Sequence, residues 1–347
     1  MYATGDEKLR TIEKATNSVS EQLVQRVNEL FHDFTGEQYE SLYPEILAQE
    51  KERWEKTAAQ FLAFMHPIRI VDIGTGTGFV PLRIAGMLRK GDIFICSDIS
   101  RGILEVARRN IQKCQFDCEF KFAKIDPQMP FKLEFDTCFA DVVTMNSVLH
   151  HVKDTNAFLN EIDRILKPNG LLFIGHEPNR YFYESRFLVQ NYLFLNRLFA
   201  LYAKLHSYVQ GKEPSRESEQ SRSYYRDISQ KISEILVQEG LINGHLSAEE
   251  ITKIVDYQYF AAERGFLPNG LLSNYGLMHI ETSDHLSWVS YLHRNIHLIR
   301  MYDNWLKKTF PRSGSVFFVV LKKYDKYPTA NTVRRKTQEG ASNSGAR

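Results

Sequence analysis

The sequence is poor in cysteine and has no marked excess of either charge. It contains 4 cysteines among 347 residues, and 44 basic against 42 acidic residues give a formal net charge of +2. Four cysteines in a chain of this length do not make the framework of a small disulfide-rich protein. Cys114 and Cys118 lack the second pair that a zinc site of this type requires. We therefore expect free thiols and no metal site.

The sequence also lacks a long apolar run and a leader-like N-terminus. No stretch of 18 uninterrupted apolar residues is present, so no membrane-spanning helix is expected. Residues 4–8 are polar, unlike a signal peptide. The segment 330–347 carries four basic residues against one acidic residue, which leaves the rest of the chain slightly negative. These absences predict a cytoplasmic protein with no nucleic-acid partner.

What the sequence does contain is a glycine-rich turn between a strand pattern and a helix pattern. A β-branched apolar run over residues 68–73 leads into Gly74, Gly76 and Gly78, and an apolar helical face follows Pro81. Positions without a side chain let the backbone approach a ligand, and a helix N-terminus offers unpaired N–H donors. The third glycine comes one position earlier than in a dinucleotide-binding fingerprint.

Alternating strand and helix patterns continue from this turn to residue 177. Such alternation predicts a doubly wound α/β fold with a parallel sheet. Polar side chains stand where successive apolar strands end: Asp98 after the second strand, Asn146 after the fourth, and His176 and Glu177 after the fifth. The carboxyl ends of parallel strands share one edge of the sheet, and ligands bind at that edge. We therefore expect these residues to lie near one site.

In this order, the segments resemble the motifs of class I S-adenosylmethionine (SAM)-dependent methyltransferases. The resemblance is to the ubiquinone- and menaquinone-biosynthesis branch, and it rests on the glycine turn, on residues 141–152 and on the Lys-Pro-Asn-Gly loop at 167–170. It covers about 110 residues, 68–177. It implies SAM as the cofactor. The residues that it places in the cofactor site are Asp72, Gly74, Thr75, Gly76, Gly78, Asp98, Ile99, Asp126 and Asn146.

The resemblance also implies methyl transfer to a small, apolar or aromatic acceptor. A base is needed only where the attacking atom carries a proton of high pKa. The candidates are His150, His151, His176 and Glu177, although capping and packing of the next helix is the favoured role for the two adjacent histidines. Two other functions stay open: a non-catalytic SAM- or nucleotide-binding assembly protein, and a methyltransferase that modifies a macromolecule.

The pattern divides the chain into five parts. These are an N-terminal helical cap (1–66), a SAM-binding Rossmann-like core (67–179), a substrate-side helical insertion (180–310), the final core strand (311–326) and a disordered tail (327–347). Residues 181–209 are rich in aromatics. Packing within the insertion is the favoured role for that stretch; a pocket for a lipophilic substrate, a homodimer seam and a peripheral membrane contact are the alternatives.

Overall fold

The fold is built on one mixed sheet of seven strands. The computed structural model describes residues 21–325 apart from 37–43, 64, 127–131, 210–218, 258, 260–263, 288, 291–292 and 294. The predicted tail 327–347 and the first 20 residues lie outside that part. The strands are β1 (Arg69–Ile73), β2 (Ile93–Asp98), β3 (Glu119–Lys124), β4 (Ala140–Asn146), β5 (Leu166–Pro178), β6 (Tyr275–Ser283) and β7 (Val316–Lys323).

The strand order is β3-β2-β1-β4-β5-β7-β6. The first five strands pair in parallel, whereas β7 runs antiparallel to both of its neighbours. The central strands are apolar along nearly their whole length because helices cover both faces of the sheet. Val71, for example, pairs with Ile95 and Val143, and all three are buried. The predicted doubly wound sheet is confirmed.

Ten α-helices are described. They are α1 (Glu21–Thr35), α2 (Pro44–Leu62), α3 (Phe79–Ile84), α4 (Arg101–Gln112), α5 (Thr155–Ile165), α6 (Arg180–Glu184), α7 (Arg186–Val209), α8 (Glu219–Gln238), α9 (Ala248–Val255) and α10 (His297–Thr309). Within the described residues, none of the helices combines the length and the apolar character that crossing a bilayer would take.

The predicted helical insertion over 180–310 is wrong in one part, because β6 lies inside that range. This strand is at the edge of the sheet and pairs only with β7. Leu277 and Met278 are exposed, so its residues do not alternate between apolar and polar as a half-buried strand does. The two antiparallel strands β6 and β7 are separated by α10 instead of a short turn.

The helical cap is fixed to the sheet through Trp54 of α2. Its side chain is fully buried, and its ring centroid lies 6.0 Å from that of Phe173 and 4.9 Å from that of Phe318. The indole Nε1 donates a hydrogen bond to Asn146 Oδ1 at 2.9 Å, at the carboxyl end of β4. The cap therefore reaches the edge of the sheet at which the predicted site residues stand.

Replacing Trp54 by alanine should lower the free energy of unfolding by about 3–5 kcal/mol, because a large buried ring is lost from between two others. Urea denaturation measures this change. Gln60→Ala, on the exposed side of the same helix, is the control and should have little effect. A loss below about 1 kcal/mol for Trp54→Ala would mean that α2 does not pack on the sheet in this way.

Candidate functional site

A cavity of about 470 Å³ lies at the carboxyl edge of β1, β2, β4 and β5. Its volume is in the range of cavities that hold cofactors and drug-sized ligands. Gly74, Asp98, Asn146 and His176, one from the end of each strand, all line it. The sheet edge thus brings together residues that the sequence places up to a hundred positions apart.

The glycine turn forms the floor of the cavity. Gly74, Gly76 and Gly78 have φ values of +68°, +57° and +98°, in the left-handed region that favours glycine. Gly74, Thr75 and Gly76 line the cavity, and no atom lies within 4 Å of where a Cβ at Gly76 would stand. Gly78 does not line it. A Cβ there would make only ordinary contact with Ala107 of α4, at 3.5 Å, so the left-handed backbone and not the packing favours glycine at this position.

Asp72 lies beneath the turn and is not part of the cavity wall. It is fully buried, and its two carboxylate oxygens accept hydrogen bonds from Thr144 Oγ1 at 2.6 Å and Thr75 Oγ1 at 2.8 Å. Burial raises the pKa of this carboxyl to about 7, although the two hydroxyl donors oppose the shift. Asp72 therefore ties the turn to β4, and the structure does not place it at the predicted cofactor surface.

Asp98 lies where it was predicted, at the end of β2 and in the cavity wall. Its Oδ2 accepts from the Gly76 N–H at 2.9 Å and its Oδ1 from the Ser100 N–H at 3.0 Å. Burial raises the pKa of Asp98, and these backbone donors oppose the rise. Ile99 lines the cavity beside it. One carboxylate thus joins the glycine turn to the second strand and retains lone pairs for a ligand.

Asp126 is not at this site. It is exposed and lies outside the cavity wall, which at this point is formed by Ile125. The predicted Met-Pro-Phe turn at 129–131 lies outside the described residues. Because side chains of consecutive residues in an extended segment point to opposite sides, a shift of one position exchanges the buried residue for the exposed one.

The histidine pair 150–151 and His176 all line the cavity, but Glu177 does not. Glu177 is fully buried, and its carboxylate accepts from the backbone N–H groups of Val148 and Leu149, each at 2.7 Å. It also contacts the N–H and Nδ1 of His150, at 3.1 and 2.9 Å. Glu177 therefore holds the loop after β4, and the prediction that it faces an acceptor is wrong.

His176 reaches the cavity because β5 is irregular at this point. The pairing of β5 with β7 shifts register between Ile174 and Glu177, and His176 has a φ of +55°. Such a bulge redirects a side chain, and bulges are common next to active sites. The register shift explains why His176 and Glu177, adjacent in sequence, serve different purposes.

His176 has a carboxylate partner that the sequence reasoning missed. Its Nδ1 lies 3.2 Å from Oε1 of Glu50 in α2, and Glu50 also pairs with Arg53. Burial by itself would lower the pKa of His176, but the hydrogen bond and the negative charge of Glu50 raise it above its usual value. A signal was present: Glu50 stands four residues before the buried Trp54, on the same helical face.

The rest of the wall is contributed by helices and loops that cover the sheet edge. Tyr183, Tyr257 and Tyr259 line the cavity, as do Phe158 and Val24. Burial raises the pKa of Tyr259 above the usual range. The site is therefore polar at the strand ends, where His176 and its carboxylate partner lie, and largely aromatic or apolar opposite them.

Five parallel strands in this order, a glycine turn after β1 and a carboxylate after β2 are typical of α/β proteins that bind a nucleoside-type cofactor. A family model described as "Methyltransferase domain" matches residues 71–174. Those residues are a methyltransferase domain of the class I SAM-dependent type, and the family prediction is confirmed.

Several curated proteins are similar to part of the chain. Demethylmenaquinone methyltransferase of Symbiobacterium thermophilum is 31% identical over 168 residues, which is 48% of this chain and 64% of that protein. Ubiquinone/menaquinone biosynthesis C-methyltransferase UbiE of Pectobacterium atrosepticum is 24% identical over 172 residues, covering 49% and 64%. The chain thus spans just under two thirds of the length of these relatives.

A solved SAM-dependent methyltransferase from Aquifex aeolicus aligns with a TM-score of 0.30 at 20% identity, over 33% of this chain and 58% of that one.

The two glycines of the cavity floor should respond differently to alanine. Both substitutions carry the cost of a left-handed backbone, about 1 kcal/mol. A Cβ at Gly74 would also lie 2.4 Å from Val148 Cγ2, whereas one at Gly76 would meet open space. In thermal unfolding without ligand, Gly74→Ala should therefore lower Tm clearly more than Gly76→Ala. Equal losses would contradict the packing of Val148 over the turn.

Proposed function

We propose that the protein transfers a methyl group from SAM to a small, lipophilic acceptor. The observation that carries this proposal is the single cavity in which the glycine turn and Asp98 lie at one end and the His176–Glu50 pair lies at the other. The match of residues 71–174 to a methyltransferase domain supports it. The relatives' names, demethylmenaquinone methyltransferase and ubiquinone/menaquinone biosynthesis C-methyltransferase, support the choice of a small acceptor.

We assign the two halves of the cavity from the strand order. Asp98 at the end of β2 would accept hydrogen bonds from ribose hydroxyls, and Ile99, Ile103 and Ile125 offer apolar contacts for the adenine. The bare backbone at Gly74 and Gly76 leaves room for the methionine part next to β1. Further along the sheet, β4 and β5 then face the acceptor.

His176 is the base in this proposal, because it is the cavity-lining histidine of β5, the strand farthest from Asp98 among the four. Its Nδ1 is held by Glu50, so Nε2 takes the proton from the acceptor hydroxyl or acidic carbon. The methyl group then passes from sulfur to that atom, the carbon–sulfur bond breaks, and S-adenosylhomocysteine is the by-product. Glu50 orients the ring and stabilises the imidazolium that forms.

Most of the rate in this scheme comes from positioning and from the exclusion of water. The aromatic wall of Tyr183, Tyr257 and Phe158 favours an acceptor with an apolar ring or chain over a charged one. Transfer of radiolabel from methyl-labelled SAM to organic-soluble products tests the function, with naphthoquinols and catechols as acceptors. Binding of SAM without transfer to any of them would favour the non-catalytic alternative.

Asp98→Ala should weaken SAM and S-adenosylhomocysteine binding alike, by about 1.5–3 kcal/mol, because hydrogen bonds to a charged group are lost. Isothermal titration calorimetry measures both affinities. Asp126→Ala is the matched control, since that carboxylate is exposed and outside the cavity. Unchanged affinity in Asp98→Ala, or an equal loss in both variants, would remove the cofactor role of Asp98.

His176→Ala should lower kcat by about 10²–10⁴-fold, the usual contribution of a general base, and leave the SAM affinity nearly unchanged. In the wild type, kcat should rise with pH through a pKa above the usual value for histidine, because the ring must lose its proton to act. Glu50→Gln removes the charge that raises this pKa, so the same rise should move to lower pH.

Rapid-quench measurements of methyl transfer across pH give both the loss of rate in His176→Ala and the shift of the pH profile in Glu50→Gln. His150→Ala is the comparison, because His150 also lines the cavity and pairs with a carboxylate. A larger loss in His150→Ala than in His176→Ala would assign the base to the loop after β4. A pH profile that does not move in Glu50→Gln would contradict the orienting role of Glu50.

A further inference from the structure

Two helices outside the cavity carry apolar side chains that nothing in the described part of the chain covers. In α7 the inner side packs through Leu188 and Tyr192, and in α10 through Ile299 and Leu306. The opposite sides are apolar as well. The exposed residues, each between 41% and 74% exposed, are Phe187, Leu193, Phe194, Leu198 and Leu201 before β6, and Ile296, Leu298, Met301 and Trp305 after it. We call this set the outer helical face.

The two helices contact each other, so their exposed sides belong to one surface. Asn191 Nδ2 of α7 donates a hydrogen bond to Tyr302 Oη of α10 at 2.7 Å. The ring of Phe187 lies 5.7 Å from that of Phe310. Trp305 stacks on Tyr302 at 5.7 Å. A soluble monomer rarely exposes so many large apolar side chains together, and such a patch marks an interaction surface.

The charges on these helices are nearly all positive. Together α7 and α10 contain six Lys and Arg residues and one acidic residue, Asp303. Asp303 is directed inward, where it accepts hydrogen bonds from Ser290 Oγ at 2.7 Å and from the Leu286 N–H at 3.3 Å. Lys307 lies 3.4 Å from Glu281 of β6, which offsets one of the positive charges. The outer helical face is thus apolar, and the charged side chains around it are mostly basic.

This combination selects among the partners that an apolar face can have. In a symmetric dimer the same patch would meet itself, so the basic residues of one copy would approach those of the other. An anionic lipid surface instead supplies the opposite charge, and its interface accommodates Trp, Leu and Phe side chains at the level of the headgroups. Of the two, charge complementarity favours the membrane.

We propose that the outer helical face docks on the surface of anionic membranes, with α7 and α10 lying in the plane of the interface. This docking does not depend on the proposed methyl transfer and is testable without an acceptor. It does suit that function, because Tyr183, which lines the cavity, is itself 43% exposed and lies four residues before Phe187 of the face.

Co-sedimentation with vesicles tests the proposal. The full chain should bind vesicles of phosphatidylcholine mixed with phosphatidylglycerol, bind pure phosphatidylcholine far less, and lose binding as salt is raised. Met301→Glu should reduce binding by about tenfold or more. Met278→Glu is the matched control, because Met278 is 50% exposed on β6 and Met301 is 55% exposed on α10.

Charge is tested with a second pair of variants. Arg300→Gln with Lys308→Gln should weaken binding to anionic vesicles by about tenfold, whereas Arg89→Gln with Lys90→Gln, two exposed residues before β2 and outside both helices, should not. Three results would overturn the proposal. They are no binding by the wild type, equal effects of Met301→Glu and Met278→Glu, and a dimer in light scattering that Met301→Glu disperses.

Discussion

Buried carboxylates that accept hydrogen bonds from loops determine the shape of the sheet edge on which the site depends. Asp72 ties the glycine turn to β4 through two threonine hydroxyls, and Asp98 ties the same turn to β2 through the Gly76 N–H. Glu177 holds the loop after β4 to β5 through backbone N–H groups. Each carboxylate links a loop to a neighbouring strand, so the loops cannot move independently of the sheet. An unpaired buried carboxylate would be costly, which gives these links their strength.

The residues within the parallel core could be predicted from the sequence because their signals are local. An apolar run that ends in glycines, or in Asp98 or Asn146, predicts both a strand and the position of its carboxyl end, where ligands bind. Glu50 could not be assigned to the site in this way. It lies 126 positions from His176 in the sequence, and it is on a helix before β1, so no strand end indicates its position. β6 was missed for a related reason. This exposed edge strand forms because it pairs with β7, and its sequence has no alternation of apolar and polar residues that would predict a strand.

The second feature that the sequence could not predict is which side chains at a strand end point into the cavity. His176 and Glu177 were equivalent candidates by position, and only the register shift beside them decides which one faces the cavity. The same holds for Asp72 and Gly78, whose place in the motif is correct although neither lines the cavity. The motif thus identifies residues that build the site, but it does not separate those that touch a ligand from those that hold the turn in shape.

The electrostatics of the site follow from the same carboxylates. Asp98 and Glu50 line the cavity, and Asp72 lies directly beneath its floor with a pKa raised to about 7 by burial. A cation bound above the turn would favour the charged form of Asp72 and be stabilised by it, whereas a neutral molecule of the same shape would not. A sulfonium cofactor carries that positive charge and its demethylated product does not. In the proposed reaction, methyl transfer therefore removes part of the attraction that holds the cofactor, so the buried acid that shapes the turn also favours the cofactor over its product.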